Sequence, residues 1–212
     1  MTAYTKRLQK VTAVLCTTAL LAGCAAGTSD NTEPAATTAQ VKAITIEPTA
    51  AYQTMNGFGA SACWWSQEVG NWENAKDILS LLYDENSGIG LNIYRYNLGA
   101  GSKDDATITD PDRRAEAFID KDGSYHWERD AAAQNALALA KSMNKDLRVT
   151  LFSNSAPVFY TANGKAYCDY LPDDENYVTN LEPERYADFA KYSIACAKHF
   201  TEAGYRVTGL SP

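Results

Sequence analysis

Three short polar clusters in this chain have the residue types and spacing to do chemistry. The first is Arg95-Tyr96-Asn97, which closes an apolar run and is followed at once by Gly99-Ala100-Gly101. Leu91, Ile93, Arg95 and Asn97 share one parity, so a strand here points all four to one face. A guanidinium on an apolar face is costly to bury alone and needs carboxylates or a polar ligand beside it. A strand that starts apolar and ends in Arg-x-Asn before glycines is how a β/α barrel delivers polar groups to its catalytic rim. A structural ion pair at a strand end would meet the same electrostatic demand. The second cluster, Ser153-Asn154-Ser155, follows another β-rich run. The third is Trp64-Trp65. On a strand the two rings face opposite ways, so one packs inside while the other faces a pocket, where an aromatic face covers the C–H face of a sugar. Burial of both rings in the core is the competing reading.

The elements that must carry these clusters alternate. Val41 to Glu47 reads as a short strand stopped by Pro48, and Met55 to Trp65 as a second. Asn74 to Tyr83 places Ile78, Leu81 and Leu82 at helical spacing. The strand within Gly88–Ser102 follows, then a charged connection, Lys103 to Asp122, of the kind usually solvated. Asp130 is placed to cap a helix with Ala133, Leu137, Ala140 and Met143 on one stripe. Leu147 to Phe152 is the next strand. Pro183 suits a first helical turn. That helix sets Tyr186, Phe189, Ala190, Ala197 and Phe200 on one face and closes at Gly204, and Tyr205 to Leu210 starts a further strand. Strand and helix in alternation imply parallel strands with helical crossovers. Neither Gly57-Phe58-Gly59 nor Gly99-Ala100-Gly101 continues as a phosphate-binding loop, which disfavours a dinucleotide fold.

Composition narrows the classes. The net charge is −7; the first 24 residues hold Lys6, Arg7 and Lys10 and no acid, so the remainder has 16 bases and 26 acids. That balance argues against nucleic acid as a partner. The basic start, the apolar Val11–Leu21 and then Leu21-Ala22-Gly23-Cys24 resemble a bacterial lipoprotein signal. The resemblance implies cleavage before Cys24, lipidation of its sulfur, and a protein exported and anchored to the membrane. An ordinary secretory signal is the alternative. Residues 1–23 are then the signal peptide and 24–40 a flexible polar tether, with the folded domain over 41–212. Cys63, Cys168 and Cys196 remain, best read as free thiols, since free cysteine packs as a small apolar group. The only imidazoles are His126 and His199, and no zinc-ligand spacing occurs.

Several blocks together resemble glycoside hydrolase family 30, in its endo-β-1,6-galactanase-like branch. They are Gly57-Phe58-Gly59-Ala60-Ser61 with Trp64-Trp65, Gly88 to Asn97, Asp122-Gly123-Ser124-Tyr125 with Trp127, Arg129 and Asp130, Phe152-Ser153-Asn154-Ser155 with Pro157, and Asn163-Gly164. The resemblance implies the N-terminal half of a (β/α)8 barrel, with the strand near Ile44 belonging to a β-sandwich at the barrel's side. It implies a retaining hydrolase using two glutamates, at the ends of barrel strands four and seven. Both are expected beyond Pro212, so this segment alone is expected to be inactive and, with its barrel open, poorly folded. Glu68, Glu116 and Glu128 are not placed as a pair by anything in the sequence.

By the same resemblance Arg95 lies below the first sugar, braced against the catalytic carboxylates. Asn154 stands where relatives acting on glucosides tend to carry Trp, which favours a galactoside. Asn97, Ser153, Ser155, Trp64 and Trp65 complete the implied substrate-binding set. Phe159 and Ala156 depart from the family pattern, in which Trp and Pro are usual, at positions expected on the substrate wall. No metal, organic cofactor or protein partner is implied; the partner is a galactan-type polysaccharide. The remaining alternatives are a lipoprotein that holds glycans without cutting them, and a hydrolase of the same family acting on xylan or glucosides.

Overall fold

A computed structural model describes residues 45–168 and 179–212. The proposed signal, the tether and Cys24 lie outside them. The chain divides into two units, 1–51 and 52–212. Of the first, residues 45–51 are exposed and hold no strand. The Ala50 N–H donates to the Glu47 carbonyl at 3.1 Å, making a turn at Pro48-Thr49. The described part of the expected Val41–Glu47 strand is therefore not formed, and residues 41–44 lie outside the described set.

The second unit is an α/β layer structure. Strands β1 (Gly59–Ser61), β2 (Ile93–Leu98), β3 (Arg148–Ser153) and β4 (Arg206–Ser211) form one sheet in sequence order. Every pairing is parallel. Helices α1 (Trp65–Val69) and α2 (Ala75–Tyr83) connect β1 to β2, α3 (Ala131–Met143) connects β2 to β3, and α4 (Tyr186–Glu202) connects β3 to β4. The alternation read from sequence is present, because each β-rich run is too apolar to leave a face uncovered and each amphipathic helix supplies a cover.

The two faces of the sheet differ. Tyr94, Tyr96, Val149 and Leu151 are completely buried, and Leu98 is 1% exposed. They meet the helical layer through Leu79, Tyr83, Leu137, Ala140, Tyr192 and Phe200 in one continuous core. Burying each large side chain contributes about 1.5–3 kcal/mol. Ile93, Arg95, Asn97, Arg148, Thr150 and Phe152 take the opposite parity. Ile93, Arg148 and Thr150 are only half-buried and Arg95 is exposed. This is the face that the expected barrel would turn inward, and among the described residues no helical layer covers it.

Several local expectations change. Strand β2 begins at Ile93, not at Gly88. Leu91 precedes it and packs against the helical core, so it does not share the Arg95 face. Strand β1 ends at Ser61; Trp64 and Trp65 open α1 instead of continuing a strand. Gly70 ends α1 where a Cβ would collide with the Ala132 carbonyl, which lets α1 pack tightly on α3. In α2 the buried line is Ala75, Leu79 and Tyr83, spaced by four, and Leu81 is turned out, 64% exposed. In α4 the buried line is Phe189, Tyr192, Ser193, Cys196 and Phe200, whereas Tyr186 and Ala190 face outward. A helix's apolar residues on two adjacent stripes leave the choice of buried stripe to the sheet it meets. The stripe expected for α3 holds, with Ala133, Leu137 and Ala140 buried. Gly204 ends α4 with φ +87°.

The connection 103–122 is not wholly solvated. Ala115, Ala117, Phe118 and Ile119 are at most 5% exposed. Phe118 sits 6.0 Å from Phe200 and 5.6 Å from Trp127, ring centre to ring centre.

Asp130 precedes α3 with φ +52° and makes no side-chain cap. Its carboxyl is buried and accepts a 2.6 Å hydrogen bond from the Tyr96 hydroxyl on β2. Its N–H donates to Glu116 Oε2 at 2.8 Å, and Lys103 Nζ stands 3.3 Å from the other Glu116 oxygen. Burial pushes the Asp130 carboxyl up to about 7.

Cys63, Cys168 and Cys196 are free. Cys196 is buried, and burial raises its thiol to about 12. No helix among the described residues is long and apolar enough to cross a membrane.

Candidate functional site

Parallel strands end together, so the residues just past their C-terminal ends form one rim. Here that rim closes on a cavity of about 170 Å³. Asn97, Leu98, Gly99 and Ala100 come from the end of β2, Asn154 and Ser155 from just past β3, and Trp64 from just past β1. Ile108, Arg113 and Ala115 close it from the β2–α3 connection, and Ala166 and Tyr167 from the β3–α4 connection.

The glycines here have a steric task. A Cβ at Gly99 would strike the Glu116 carbonyl, so only glycine lets the buried 115–119 segment cross the strand end this closely. The Val158 N–H donates to the Ala100 carbonyl at 2.9 Å and ties the two strand-end loops together. Ser102 and Ala115 hold the β2 loop shut through the Ser102 N–H to the Ala115 carbonyl at 2.8 Å and the Ala115 N–H to Ser102 Oγ at 3.2 Å. Across the loops, the Tyr167 hydroxyl donates to Thr107 Oγ1 at 2.9 Å. Asn180 Nδ2 reaches the carbonyls of Lys165 and Tyr167 at 2.9 and 3.1 Å and Asn163 Oδ1 at 3.0 Å. These amides set the turn that presents Tyr167 to the cavity.

Within the cavity Asn97 is 4% exposed. Its Oδ1 is buried and finds no hydrogen-bond partner among the described residues. A buried carbonyl without a donor is disfavoured by about 1–3 kcal/mol, and a ligand hydroxyl would relieve it. Asn154 is exposed at the mouth. Ser155 Oγ donates to the Ala156 carbonyl at 3.2 Å. Trp64 turns its ring toward the cavity and toward Arg113, whose guanidinium carbon lies 5.3 Å from the ring centre.

The structure brings Asn97, Asn154, Ser155 and Trp64 together and sets the other named residues elsewhere. Trp65 packs on the core and donates its indole N–H to the Ser61 carbonyl at 2.9 Å. The pair does divide between core and pocket, but through a helix start instead of strand alternation. Ser153 has the parity of Val149 and Leu151 and lies outside the cavity lining. Arg95 is two residues before Asn97 on the inner face, exposed and not buried, with its guanidinium carbon 3.3 Å from the centre of the Phe152 ring. No carboxylate among the described residues lies within ion-pair distance of it. Ala156 belongs to the core, away from the expected substrate wall. Phe159 lines a neighbouring open hollow of about 640 Å³.

That hollow is strongly charged. Arg129 makes two hydrogen bonds to Asp120, at 2.7 and 3.0 Å, and they hold the Asp120 carboxyl below the usual range. His126 lies between Asp120 and Glu128 at 3.0 and 3.2 Å. His199 stacks on Trp127 at 4.0 Å, and partial burial lowers its basicity. Glu68 and Glu128 are exposed and Glu116 is engaged by the Asp130 N–H; Glu68 and Glu116 line a common hollow with Asp130, and none of the three glutamates lines the rim cavity. Among the described residues no group of three or more His, Cys, Asp or Glu is placed to hold a metal ion.

Tyr167, Ile108 and Arg113 had no signal in the sequence. They come from loops whose paths are set by the buried 115–119 segment and by the Asn180 contacts.

Comparison with known proteins agrees with this arrangement. Endo-β-1,6-galactanase of Hypocrea rufa is 29% identical over 180 residues, which cover 74% of this chain and 36% of that protein. The crystal structure of a conserved exported protein from Bacteroides fragilis matches with a TM-score of 0.70 at 28% identity, over 79% of this chain and 35% of that one. The catalytic domain of GH30 xylanase C from Talaromyces cellulolyticus shares the fold with a TM-score of 0.50 at 22% identity, over 75% of this chain and 36% of that one. The chain thus spans about a third of the length of these relatives, and its sheet is part of a β/α barrel. The family model for O-glycosyl hydrolase family 30 matches residues 41–212, the whole of the unit that carries the rim and its cavity, and the chain belongs to that family.

Proposed function

We propose that this chain is the N-terminal part of a retaining glycoside hydrolase that cleaves β-1,6-linked galactan outside the cell. The observation that carries the reading is the strand-end cavity, where an indole face, two asparagine amides and a serine meet. Amides offer donor and acceptor to sugar hydroxyls, and the indole covers a C–H face. The similarity to an endo-β-1,6-galactanase supports the linkage. Asn154 at the cavity mouth leaves room and hydrogen bonds where a bulky ring would fill the space, which supports galactose over glucose. The catalytic carboxylate pair belongs to the rest of the barrel, and close spacing of the pair underlies retention. Export with a lipid at Cys24 fits the described export of the Bacteroides fragilis relative. Labelled palmitate entering the full chain, with the label lost in Cys24→Ser, is the result expected of that anchor.

The test is incubation of the full-length protein with β-1,6-galactan, β-1,6-glucan and xylan, followed by product analysis and NMR of the first anomer formed. Galactooligosaccharides released as the β anomer are expected from galactan alone. Cleavage of glucan or xylan instead would move the specificity within the family. Retained glycan binding with no cleavage would make the protein a glycan-holding lipoprotein.

Asn97→Leu separates binding from folding. Its Oδ1 has no partner to lose, so the melting temperature is expected to hold or rise. KM for galactan is expected to increase at least about tenfold, one hydrogen bond's worth in a dry site. A fall in melting temperature with KM unchanged would assign Asn97 to the scaffold.

A further inference from the structure

Beside the rim cavity lies a second concavity of about 320 Å³ whose walls include three indoles, Trp64, Trp65 and Trp72. Val69, Glu68, Asp110, Asp112 and Arg113 complete its lining. Trp64 and Arg113 line both spaces, so the two adjoin at these side chains. That wall is built locally. Asp110 accepts the Asp112 N–H at 3.1 Å at the head of the single turn Pro111–Arg113, and its other oxygen lies 3.3 Å from Arg113 Nε. Arg113 is thereby held with its guanidinium toward the Trp64 ring. Trp72 lies between α1 and α2, is 51% exposed and takes no part in the core cluster.

We propose that this concavity takes a further sugar ring of the same glycan chain, with Trp72 as its stacking platform, and that the ring it takes is uncharged. This rests on the glycosidase reading above and names the class of substrate, a neutral polymer and not a short glycoside. Adjacency to the rim cavity supplies the occupant, because a chain seated at Asn97 and Asn154 and leaving past Trp64 meets this space next. The aromatic walls supply the contact, since an indole face covers the C–H face of a pyranose. The charge supplies the selection. Three carboxylates surround one guanidinium, and that guanidinium is already paired with Asp110. A uronate would be repelled, whereas hydroxyls can donate to Asp112. The volume is that of a small-ligand site, about 300–1,000 Å³.

The experiment compares the full-length wild type with Trp72→Ala and Trp72→Phe. On polymeric β-1,6-galactan, Trp72→Ala is expected to raise KM about tenfold with kcat unchanged, and Trp72→Phe to restore most of the loss. On an aryl β-galactoside, which ends at the rim cavity, the three proteins are expected to be equal, with equal melting temperatures. Affinity electrophoresis gives a readout free of catalysis. Neutral galactan in the gel should retard the wild type and not Trp72→Ala, while a uronate-rich polymer such as polygalacturonan should retard neither. Equal loss on polymer and aryl glycoside, loss on neither, or Trp72-dependent retardation by the uronate polymer overturns the proposal. A wild type that hydrolyses no glycan overturns the glycosidase reading instead, and the gel then decides the platform by itself.

Discussion

Arg95→Ala in the full-length chain is expected to lower kcat on galactan by about 10²–10³-fold, the range for removing one preorganised charged or polar group from a reacting centre. Arg95 lies on the inner face of β2, two residues short of the rim, with its guanidinium flat over Phe152. The ring holds the guanidinium in contact, and the residue is exposed to solvent. A cation held this way costs little to keep, because its charge is still hydrated and the ring quadrupole attracts it by about 1 kcal/mol. The stability loss in Arg95→Ala should accordingly be small, about 1 kcal/mol. Its catalytic value would come from carboxylates and substrate contributed across the barrel, whose ionised form a fixed cation favours. Arg95→Lys is expected to recover little, since an ammonium neither stacks on Phe152 nor offers a planar fork. The pH profile gives the independent sign. On the proposed retaining mechanism, a nucleophilic carboxylate facing Arg95 would lose a stabilising positive charge in this variant, so the acidic limb of kcat/KM should move to higher pH. Unchanged kcat with a large fall in melting temperature would make Arg95 a structural residue.

The second large effect concerns Asp130. The carboxyl is buried, with Asp130 5% exposed, and bonded to the Tyr96 hydroxyl, and burial raises it from the ordinary carboxylate value of 3.8 to about 7. Between these two values the folded state keeps a proton that the unfolded chain has released. Stability from this group is therefore fully present below about pH 4 and is lost as pH rises through about 7, amounting to about 4 kcal/mol across the window. Asp120, Asp122 and Asp188 are shifted the other way by their hydrogen bonds, so they favour the fold as pH rises. The difference between wild type and Asp130→Asn isolates the one group. Asparagine tolerates the φ of +52° at this position and can accept from the Tyr96 hydroxyl without ionising. The variant is expected to gain on the wild type from about pH 4 to about pH 7 and to level off above, read as melting temperature at fixed salt. A constant offset across that range would mean the carboxyl titrates normally. Tyr96→Phe should keep the slope and carry it to higher pH, because burial holds the proton whereas the hydrogen bond from Tyr96 favours its release.

Local pattern sufficed where one element decides alone. The alternation of β-rich runs with amphipathic stretches was enough for a parallel α/β layer, and the alanine-rich stripe of α3 could bury only one way. The polar residues at strand ends were equally legible, since Asn97, Asn154 and Ser155 each close a β-rich run. Their convergence was not, because it depends on the register that aligns Asn97 with Phe152 and on Gly99 admitting the 115–119 segment. Arg95 was expected to be buried because parity linked it to Leu91. The strand starts too late for that, and the inner face on which Arg95 lies is open. Asp130 carried a capping signature, yet a left-handed backbone turned its carboxyl toward Tyr96, 34 residues away in sequence. Trp64 and Trp65 were expected on a strand, whereas they open α1, with Trp65 against the core and both lining the second concavity. Tyr167, Ile108, Arg113 and the Trp72 platform could not be read at all, since loop residues carry no periodicity. The sequence determined by itself that strands and helices would alternate and which polar residues would follow the strands at Asn97 and Asn154, because those follow from nearest-neighbour chemistry. Which of those residues share one cavity was decided only by the tertiary structure, because strand register and close backbone crossings join positions that no local pattern connects.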